Sequence, residues 1–316
     1  MVSHDDSLDI AVRVRALRIE ADGVMSVELS AISGSLPTWE PGAHIDLVAP
    51  GAPVRQYSLC GDPTAPFYRI AVLRESDSRG GSRFVHETLR PGDEVVIRGP
   101  RNHFALESAA EYLFIAGGIG ITPMLPMVRA AAAGARWRLI YLGSARSRMP
   151  FLDELSALGG DIRLAARDEV GRADLVEEIA AHPDALVYAC GPERMLSALR
   201  DVIPDDASGN GRLRYEYFSA PVVEYEPGGP FVIRLETTGV DVEVDPDTSV
   251  LEALRSVGIE ILSDCEEGIC GSCETHVISG EVDHRDFVLT AQEKERNDCM
   301  MVCVSRAACP LLVLDA

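Results

Sequence analysis

Four cysteines near the C-terminus constrain the fold more than any other feature of the sequence. Cys265, Cys270 and Cys273 lie in the segment DCEEGICGSC, and Cys303 follows in MMVCVSRA. A C-x4-C-x2-C spacing with a distant fourth cysteine is typical of a plant-type [2Fe–2S] site, in which four thiolates hold two irons. We expect the loop glycines to let backbone N–H groups approach the sulfurs closely, and the fourth thiolate to come from a strand.

Two other roles for these cysteines are less compatible with the sequence. Structural zinc is usually held by paired C-x2–4-C segments, and only Cys270 and Cys273 form such a pair. Disulfides are rare in reducing compartments, and the N-terminal segment MVSHDDSLDI lacks the basic-then-apolar order of a secretion signal. The eight cysteines are therefore expected to be thiols and ligands in a cytoplasmic protein. Cys309 falls outside the ligand pattern, and Cys299 is an alternative to Cys303 as fourth ligand.

Length and charge limit the possible partners. A chain of 316 residues is expected to form two or three domains. Its formal net charge of −21 disfavours nucleic acid and anionic membrane surfaces as ligands, and no segment approaches the roughly 18 apolar residues of a membrane span. Residues 226–316 hold 19 acidic and 6 basic side chains. This acidic segment is either a solvated surface or a docking face for a basic electron acceptor.

Residues 1–107 are predicted to form a small antiparallel β-barrel. Short apolar segments separated by Pro/Gly turns are typical of such barrels, and six follow one another here: LDIAVRVRALRIE, VMSVELS, AHIDLVAP, VRQYSLC, FYRIAVLRE and DEVVIRG. A short helix around Phe84–Leu89 is expected to cover one end.

Two short motifs in this barrel carry groups that suit a phosphorylated ring compound. In Arg55-Gln56-Tyr57-Ser58, the arginine offers a planar fork for phosphate and the tyrosine offers a flat face for stacking. In Arg79-Gly80-Gly81-Ser82, consecutive glycines before a helix form a nest for an anion. Each motif alone is equally compatible with an ordinary strand or an ordinary capped loop.

Residues 108–222 are predicted to form a parallel sheet with crossover helices, because strands and helices alternate there. The strand YLFIA leads into the turn GGIGITPM at residues 117–124. A nucleotide pyrophosphate meets a helix N-terminus at such a turn, although the spacing is not the G-x-G-x-x-G fingerprint. The strands WRLIYLG, DIRLAA and ALVYAC follow. Cys190-Gly191-Pro192 ends the last strand at the carboxyl edge, where ligands of open α/β sheets bind.

A linker and a third domain complete the predicted organisation. The segment PVVEYEPGGP at residues 221–230 is rich in proline and glycine, as is typical of linkers. Residues 230–316 are then expected to form a compact α+β domain around the cysteine loop. It contains a hairpin from FVIRLETTG and VDVEV, and an amphipathic helix from TSVLEALRSVG.

Taken together, these motifs resemble the phthalate dioxygenase reductase family, which includes the reductase components of vanillate O-demethylases. RQYS, RGGS, AGGIGITPM, YACGP, YEYFSA and CEEGICGSC…MVCVSRA occur in the family's order over nearly the whole chain. The resemblance implies a multidomain fold with an FMN-binding antiparallel β-barrel and an NADH-binding α/β parallel-sheet domain of the ferredoxin-reductase type. A C-terminal α+β plant-type ferredoxin domain with the β-grasp fold would complete it.

The resemblance also implies roles for individual residues. The implied FMN contacts are Arg55, Tyr57, Ser58, Gly81 and Ser82, with Ser58 near the flavin N5 atom. The implied contacts of the pyridine nucleotide are Gly118, Thr122, Pro123, Cys190 and Gly191. Phe218 would cover the flavin face until nicotinamide displaces it, so that Ser58, Cys190 and Phe218 surround the site of hydride transfer. The implied cluster ligands are Cys265, Cys270, Cys273 and Cys303.

The choice between NADH and NADPH depends on the segment after WRLIYLG. Ser144, Arg146, Ser147 and Arg148 are residue types that can hold the 2′-phosphate of NADPH. Members of the family carry basic residues there and still use NADH, and Asp168 is available for a ribose hydroxyl. We expect NADH.

The expected function is that of an NADH-dependent reductase component of a multicomponent oxygenase. Hydride transfer to flavin needs close stacking and no general base on the substrate, and electrons then pass singly through the cluster to a Rieske-type oxygenase or O-demethylase. A reductase for a cytochrome P450 or another monooxygenase is the alternative acceptor assignment. An electron carrier or redox sensor with a decayed flavin site is the non-enzymatic one. The family suggests a monomer.

Overall fold

The structure is a computed structural model that describes residues 9–49, 51, 53–76, 80–203, 211–221, 223, 225 and 228–316. It divides into two compact units, one ending at Phe218 and the other running from Ser219 to Ala316. The predicted boundary between a barrel domain and a nucleotide domain at residues 107/108 stays a prediction. Within the described residues, no helix has the length and apolar character that a membrane crossing requires.

The first unit begins with the predicted antiparallel barrel, in the strand order β4-β3-β6-β1-β2-β5. A further antiparallel bridge between Leu59 and Ile70 joins the two end strands, and apolar side chains from all six strands fill the interior. Helix α1 (Gly81–Glu87) begins earlier than the segment predicted from sequence. The strands are β1 (Ile10–Ala21), β2 (Val24–Ala31), β3 (His44–Val48), β4 (Arg55–Ser58), β5 (Tyr68–Leu73) and β6 (Glu94–Arg101).

The second half of this unit is a parallel sheet in the order β11-β10-β7-β8-β9. Four of its five strands were predicted from the sequence, and β11 was not. Because the chain moves outward through β8 and β9 and then returns to the other side of β7, the switch point lies between β7 and β10. The strands are β7 (Glu111–Gly117), β8 (Arg136–Gly143), β9 (Asp161–Ala166), β10 (Leu186–Cys190) and β11 (Leu213–Glu216). The helices are α2 (Ile121–Ala131), α3 (Leu152–Leu158), α4 (Arg167–Val170), α5 (Leu175–Ala181) and α6 (Glu193–Val202).

The second unit is a mixed sheet in the order β13-β12-β18-β14-β16, with a separate pair β15-β17. The predicted hairpin β12–β13 is antiparallel, whereas β12 and β18 run parallel. The predicted helix is α7, which starts at a capping box formed by Ser249 and Glu252. The strands are β12 (Phe231–Leu235), β13 (Asp241–Val244), β14 (Glu274–Ser279), β15 (Val282–Asp283), β16 (Cys299–Met301), β17 (Arg306–Ala307) and β18 (Leu311–Leu314). The helices are α7 (Val250–Ser256) and α8 (Ala291–Arg296).

Candidate functional site

The four predicted cluster ligands lie in two separate parts of the second unit. Cys265, Cys270 and Cys273 belong to the loop between α7 and β14, and Cys303 follows β16. The prediction that Cys303 lies in a strand is wrong. The N–H groups of Val304 and Ser305 donate to the Met301 carbonyl at 3.2 and 2.9 Å. These bonds close a turn that contains Cys303 and follows the end of β16.

The four thiols interact as two pairs. Cys265 interacts with Cys270, and Cys273 interacts with Cys303. Among the residues that the structure describes, no three His, Cys, Asp or Glu side chains come together in a group suited to one metal ion. A structural zinc needs four ligands around a single centre, whereas a [2Fe–2S] cluster takes two thiolates on each iron. The paired arrangement therefore fits the cluster.

Backbone groups of the loop favour the thiolate forms of Cys265 and Cys303. The N–H of Glu267 donates to Cys265 Sγ at 3.3 Å, and the backbone of Gly268 hydrogen-bonds to the Cys303 thiol. The hydrogen bond with Cys270 lowers the pKa of Cys265 to about 6, which favours the ionised state that iron binds. Gly268 has a φ of 71°, and a Cβ there would lie 2.6 Å from Val304 Cγ2. Only glycine fits this position.

Cys299, the alternative fourth ligand, has a different environment. It lies on β16 opposite His276 of β14, in regular strand pairing. Burial raises the pKa of its thiol to about 12. Cys303 instead hydrogen-bonds to the Cys273 thiol, and this contact favours Cys303 as the ligand.

A segment that was not recognised from the sequence contacts the cysteine loop. The N–H of Phe287 donates to the Gly268 carbonyl at 2.8 Å. The neighbouring Asp286 is buried, and its carboxylate accepts the N–H groups of Val288 and Leu289 at 3.1 and 2.8 Å. A turn fixed by a buried carboxylate thus supports the loop through one backbone hydrogen bond.

In the first unit, three side chains meet where the barrel borders the carboxyl edge of the parallel sheet. Ser58 ends β4 and hydrogen-bonds to the carboxyl group of Glu216, the last residue of β11. Cys190 ends β10 directly beside Glu216 in the parallel pairing and is buried. Ser58 and Cys190 were predicted to lie at one site, and the structure brings them together through a third residue.

Glu216 was not recognised from the sequence. Burial raises the pKa of its carboxyl group to about 8, because burial disfavours the charged form. The Oε2 atom is buried and has no hydrogen-bond partner among the described residues. A buried carboxyl group with a raised pKa and an oxygen that has no partner among the described residues is a candidate functional group.

The remaining barrel residues of the predicted flavin site lie along β4 and at the start of α1. The Tyr57 ring packs against the barrel core, and the Nε2 atom of Gln56 is buried with no partner among the described residues. The Arg55 guanidinium donates to the Val54 carbonyl at 2.7 Å. A buried amide nitrogen without a partner on a strand that also carries Arg55 and Tyr57 fits a site for a polar ring compound. Gly81 and Ser82 open α1, and Arg79 lies outside the described residues.

The predicted nucleotide residues form the turn after β7. Gly118–Gly120 is a short 3₁₀ turn that leads directly into α2. Thr122 and Pro123 are buried in the first turn of α2, and the Thr122 hydroxyl donates to the Ile119 carbonyl at 3.0 Å. Both side chains therefore shape the turn from within the protein.

This turn lies against the end of β10. A Cβ on Gly120 would stand 2.1 Å from the Cys190 carbonyl oxygen, so the two backbones can approach only because residue 120 is glycine. Gly191 lies at the same place, where a Cβ would stand 2.9 Å from the Cα of Gly117. Phe218 lies beyond β11 with 41% of its surface exposed. Its ring is accessible, as a ring that covers a flavin has to be.

An ionic cluster ties the barrel to the parallel sheet close to this site. Arg69 of β5 donates to both carboxylate oxygens of Glu154 in α3, at 2.6 and 2.9 Å, and Arg129 of α2 pairs with the same carboxylate. The two guanidinium groups also donate to the carbonyls of Cys60 and Gly61, at 2.9 and 3.2 Å. Cys60 and Gly61 follow Ser58 closely in the chain. The ionic cluster around Glu154 therefore fixes the backbone just after Ser58.

Known proteins resemble this chain over nearly its whole length. Residues 233–308 match the family described as "2Fe-2S iron-sulfur cluster binding domain". A vanillate O-demethylase oxidoreductase of a Pseudomonas species is 39% identical over 97% of this chain and 99% of its own length.

Two solved structures extend the comparison. Phthalate dioxygenase reductase, described as a modular structure for electron transfer from pyridine nucleotides to [2Fe–2S], is 36% identical, with a TM-score of 0.69 and 98% of both chains covered. An intact type IV self-sufficient cytochrome P450 monooxygenase is 44% identical over 98% of this chain, with a TM-score of 0.91. The chain spans only 41% of that longer protein.

These relatives confirm the predicted fold class, the [2Fe–2S] cluster and the activity of an oxidoreductase that serves as a reductase component of oxygenase systems. The predicted cofactors, FMN and [2Fe–2S] with a pyridine nucleotide as donor, are those of the family. The chain belongs to the family of the phthalate dioxygenase reductases and vanillate O-demethylase reductases.

Proposed function

We propose that this protein takes electrons from NADH through FMN and passes them singly, through its [2Fe–2S] cluster, to a terminal Rieske-type oxygenase or O-demethylase. We also propose that the protein is monomeric and cytoplasmic. It also keeps the three predicted functional regions, with FMN in residues 1–107, NADH in residues 108–222 and the cluster in residues 230–316.

The meeting of Ser58, Cys190 and Glu216 is the observation that carries this proposal. It joins the barrel strand with the predicted flavin residues to the carboxyl edge of the parallel sheet. Ligands of open α/β sheets bind at this edge. A hydride donor on the sheet and an acceptor on the barrel would therefore meet there.

On this proposal, the flavin is held by Arg55, Tyr57, Ser58, Gly81 and Ser82. When bound, it accepts a hydride and releases electrons one at a time. Ser58 offers its hydroxyl to the ring edge, and the protonated Glu216 carboxyl keeps that hydroxyl oriented. Phe218 covers the exposed ring face until the nicotinamide arrives.

The nicotinamide would lie against Cys190 and Gly191, and its phosphates over the turn that contains Gly118, Thr122 and Pro123. The close approach of Gly120 to the Cys190 carbonyl brings this turn next to the end of β10. Orientation of the two rings supplies the rate enhancement in such a reaction. Cys265, Cys270, Cys273 and Cys303 would be the cluster ligands.

An anaerobic absorbance titration tests the donor. The purified protein is expected to show flavin and iron–sulfur bands that NADH bleaches at lower concentration than NADPH does. Cluster bands without flavin would instead support an electron carrier or sensor, and a protein that neither nucleotide bleaches would contradict the proposal.

A cytochrome P450 is the second candidate acceptor. The observation that favours it is the 44% identity with part of an intact self-sufficient P450. Reconstitution separates the two acceptors. Product formation is measured with a purified Rieske-type O-demethylase component and, separately, with a bacterial P450 that lacks its own reductase. We expect faster turnover with the O-demethylase component, and the reverse order would favour the P450.

A further inference from the structure

Two loops meet at the end of the parallel sheet where the 2′ substituent of a bound nucleotide is expected. The turn Arg146–Arg148 follows β8, and helix α4 follows the neighbouring strand β9. The N–H of Asp168 donates to the Ser144 carbonyl at 3.3 Å, which joins the two loops. In dinucleotide-binding folds, an acidic residue near this position contacts a ribose hydroxyl, or an arginine accepts a 2′-phosphate.

The arginine that suggests NADPH in the sequence is already paired in the structure. Arg146 Nε donates to Glu169 Oε1 at 3.0 Å, and Nη2 donates to Oε2 at 3.2 Å. This two-point contact uses the same guanidinium edge that binds a phosphate. Both side chains are about half exposed, at 52% and 44%, so a nucleotide can reach them.

We infer that Glu169 selects NADH over NADPH by occupying the guanidinium fork of Arg146. A 2′-phosphate would have to displace the Glu169 carboxylate and would then lie beside the carboxylates of Glu169 and Asp168. A ribose hydroxyl needs neither the fork nor a positive charge, so NADH meets no such obstacle. The inference rests on the proposed binding of the nucleotide at this edge of the sheet.

Arg148 does not replace Arg146 in this role. Arg148 is exposed and has no carboxylate partner within the part of the chain that the structure describes. It therefore attracts a 2′-phosphate equally before and after a change at Glu169. Any increase in affinity for a 2′-phosphate that follows the loss of the Glu169 charge therefore comes from the released Arg146.

Steady-state kinetics with ferricyanide as acceptor test the inference. Glu169→Gln is expected to raise kcat/KM for NADPH about tenfold, the effect of one additional hydrogen bond to a charged group, while kcat/KM for NADH stays unchanged. Glu177→Gln is the matched control, because it removes the same charge from an exposed position of the same sheet domain. This control is expected to leave both values as in the wild type.

Binding of adenosine 2′,5′-bisphosphate, measured by isothermal titration calorimetry against 5′-AMP, gives a readout that does not require turnover. Glu169→Gln should tighten binding of the bisphosphate about tenfold and leave 5′-AMP unchanged. Adding Arg146→Gln should abolish the gain, and adding Arg148→Gln should preserve it. A gain that survives Arg146→Gln, or no gain in Glu169→Gln, would overturn the inference.

The wild-type protein separates failure of this inference from failure of the proposed function. If the wild type is reduced by neither nucleotide, or by NADPH in preference to NADH, the proposed function is wrong in its donor. If the wild type prefers NADH and Glu169→Gln shows no increase with NADPH, only the role of Glu169 is wrong.

Discussion

The proposed cluster site of the second unit and the proposed hydride-transfer site of the first unit are built in opposite ways. Three of the four cluster ligands lie within one short loop, and backbone N–H groups of that loop contact the sulfurs. The site in the first unit joins Ser58 of the barrel to Cys190 and Glu216, which end two neighbouring strands of the sheet more than 100 positions later in the sequence. One site is therefore specified locally, and the other exists only after the barrel and the sheet have packed together.

Removal of a cluster ligand should produce the largest effect. Cys303→Ser is expected to abolish electron transfer to a protein acceptor, because one iron loses a thiolate that serine does not replace. Reduction of ferricyanide by NADH should persist, since it needs only the site in the first unit. Iron content and the visible spectrum of the purified variant measure the loss directly.

Cys299→Ser is the matched control for this prediction. Cys299 lies on β16 only four positions from Cys303, in regular strand pairing with His276. The variant is expected to keep its iron and its electron transfer. Loss of the cluster in Cys299→Ser together with retention in Cys303→Ser would reverse the ligand assignment.

The corresponding change in the first unit removes Glu216. Glu216→Ala is expected to slow reduction by NADH about tenfold, because Ser58 loses one hydrogen bond to an oriented carboxyl group. Glu216→Gln keeps a neutral hydrogen-bonding group and should retain most of the rate at pH 7. In the wild type the rate should fall as the pH rises through about 8, where the carboxyl group ionises, and in Glu216→Gln this fall should be absent. Stopped-flow measurement of reduction from pH 6 to pH 9 checks both.

The same carboxyl group links stability to pH. Its pKa of about 8 in the folded protein lies above its usual value of 4.5, so the folded state holds a proton that the unfolded chain releases between these values. This contribution to the free energy of unfolding is complete below pH 4.5 and is lost as the pH rises to 8. Thermal unfolding of Glu216→Gln should therefore depend less on pH across this window than unfolding of the wild type. Equal dependence in both proteins would contradict the assigned pKa.

The contrast between the sites explains which parts could be predicted from sequence. Cysteine spacing reports ligand chemistry directly, so the loop was predicted without knowledge of the fold. Glu216 gave no such signal, because a glutamate in an aromatic strand is ordinary until packing buries it beside Ser58. The pairing of Arg146 was also not visible in the sequence, since its partner Glu169 lies on a different loop. Charged residues acquire their function from neighbours that spacing along the chain does not reveal.

Substitution of Glu154 tests whether the packing of the barrel on the sheet sets the geometry of the site in the first unit. Although burial alone raises its pKa, the hydrogen bonds from Arg69 hold the pKa of Glu154 below its usual value. Glu154→Gln should lower the free energy of unfolding by about 2 kcal/mol, less than for a fully buried pair because the carboxylate is partly exposed. The difference from the wild type should shrink as the pH falls below 4.5, since the stabilisation requires the ionised carboxylate.

Urea unfolding, monitored by the release of flavin, measures this loss of stability. The iron content of the variant should stay unchanged. Glu177→Gln, which removes an exposed carboxylate of the same domain, is the control and should unfold like the wild type. Equal stability of Glu154→Gln and Glu177→Gln would show that the ionic cluster does not hold the first site together.

The smallest expected effect concerns two helix caps in the second unit. Ser249 and Thr290 each form a capping box, at the start of α7 and of α8. The first turn of α7 also donates the Leu251 N–H to the Val302 carbonyl at 2.9 Å, next to Cys303, whereas α8 buries none of its residues. Ser249→Ala should cost about 1 kcal/mol and speed the loss of iron to a chelator, because it loosens the turn that carries the fourth ligand. Thr290→Ala should leave the rate of iron loss at the wild-type value. Equal acceleration of iron loss by both substitutions would show that the overall stability of the second unit, and not the support of Cys303, controls retention of the cluster.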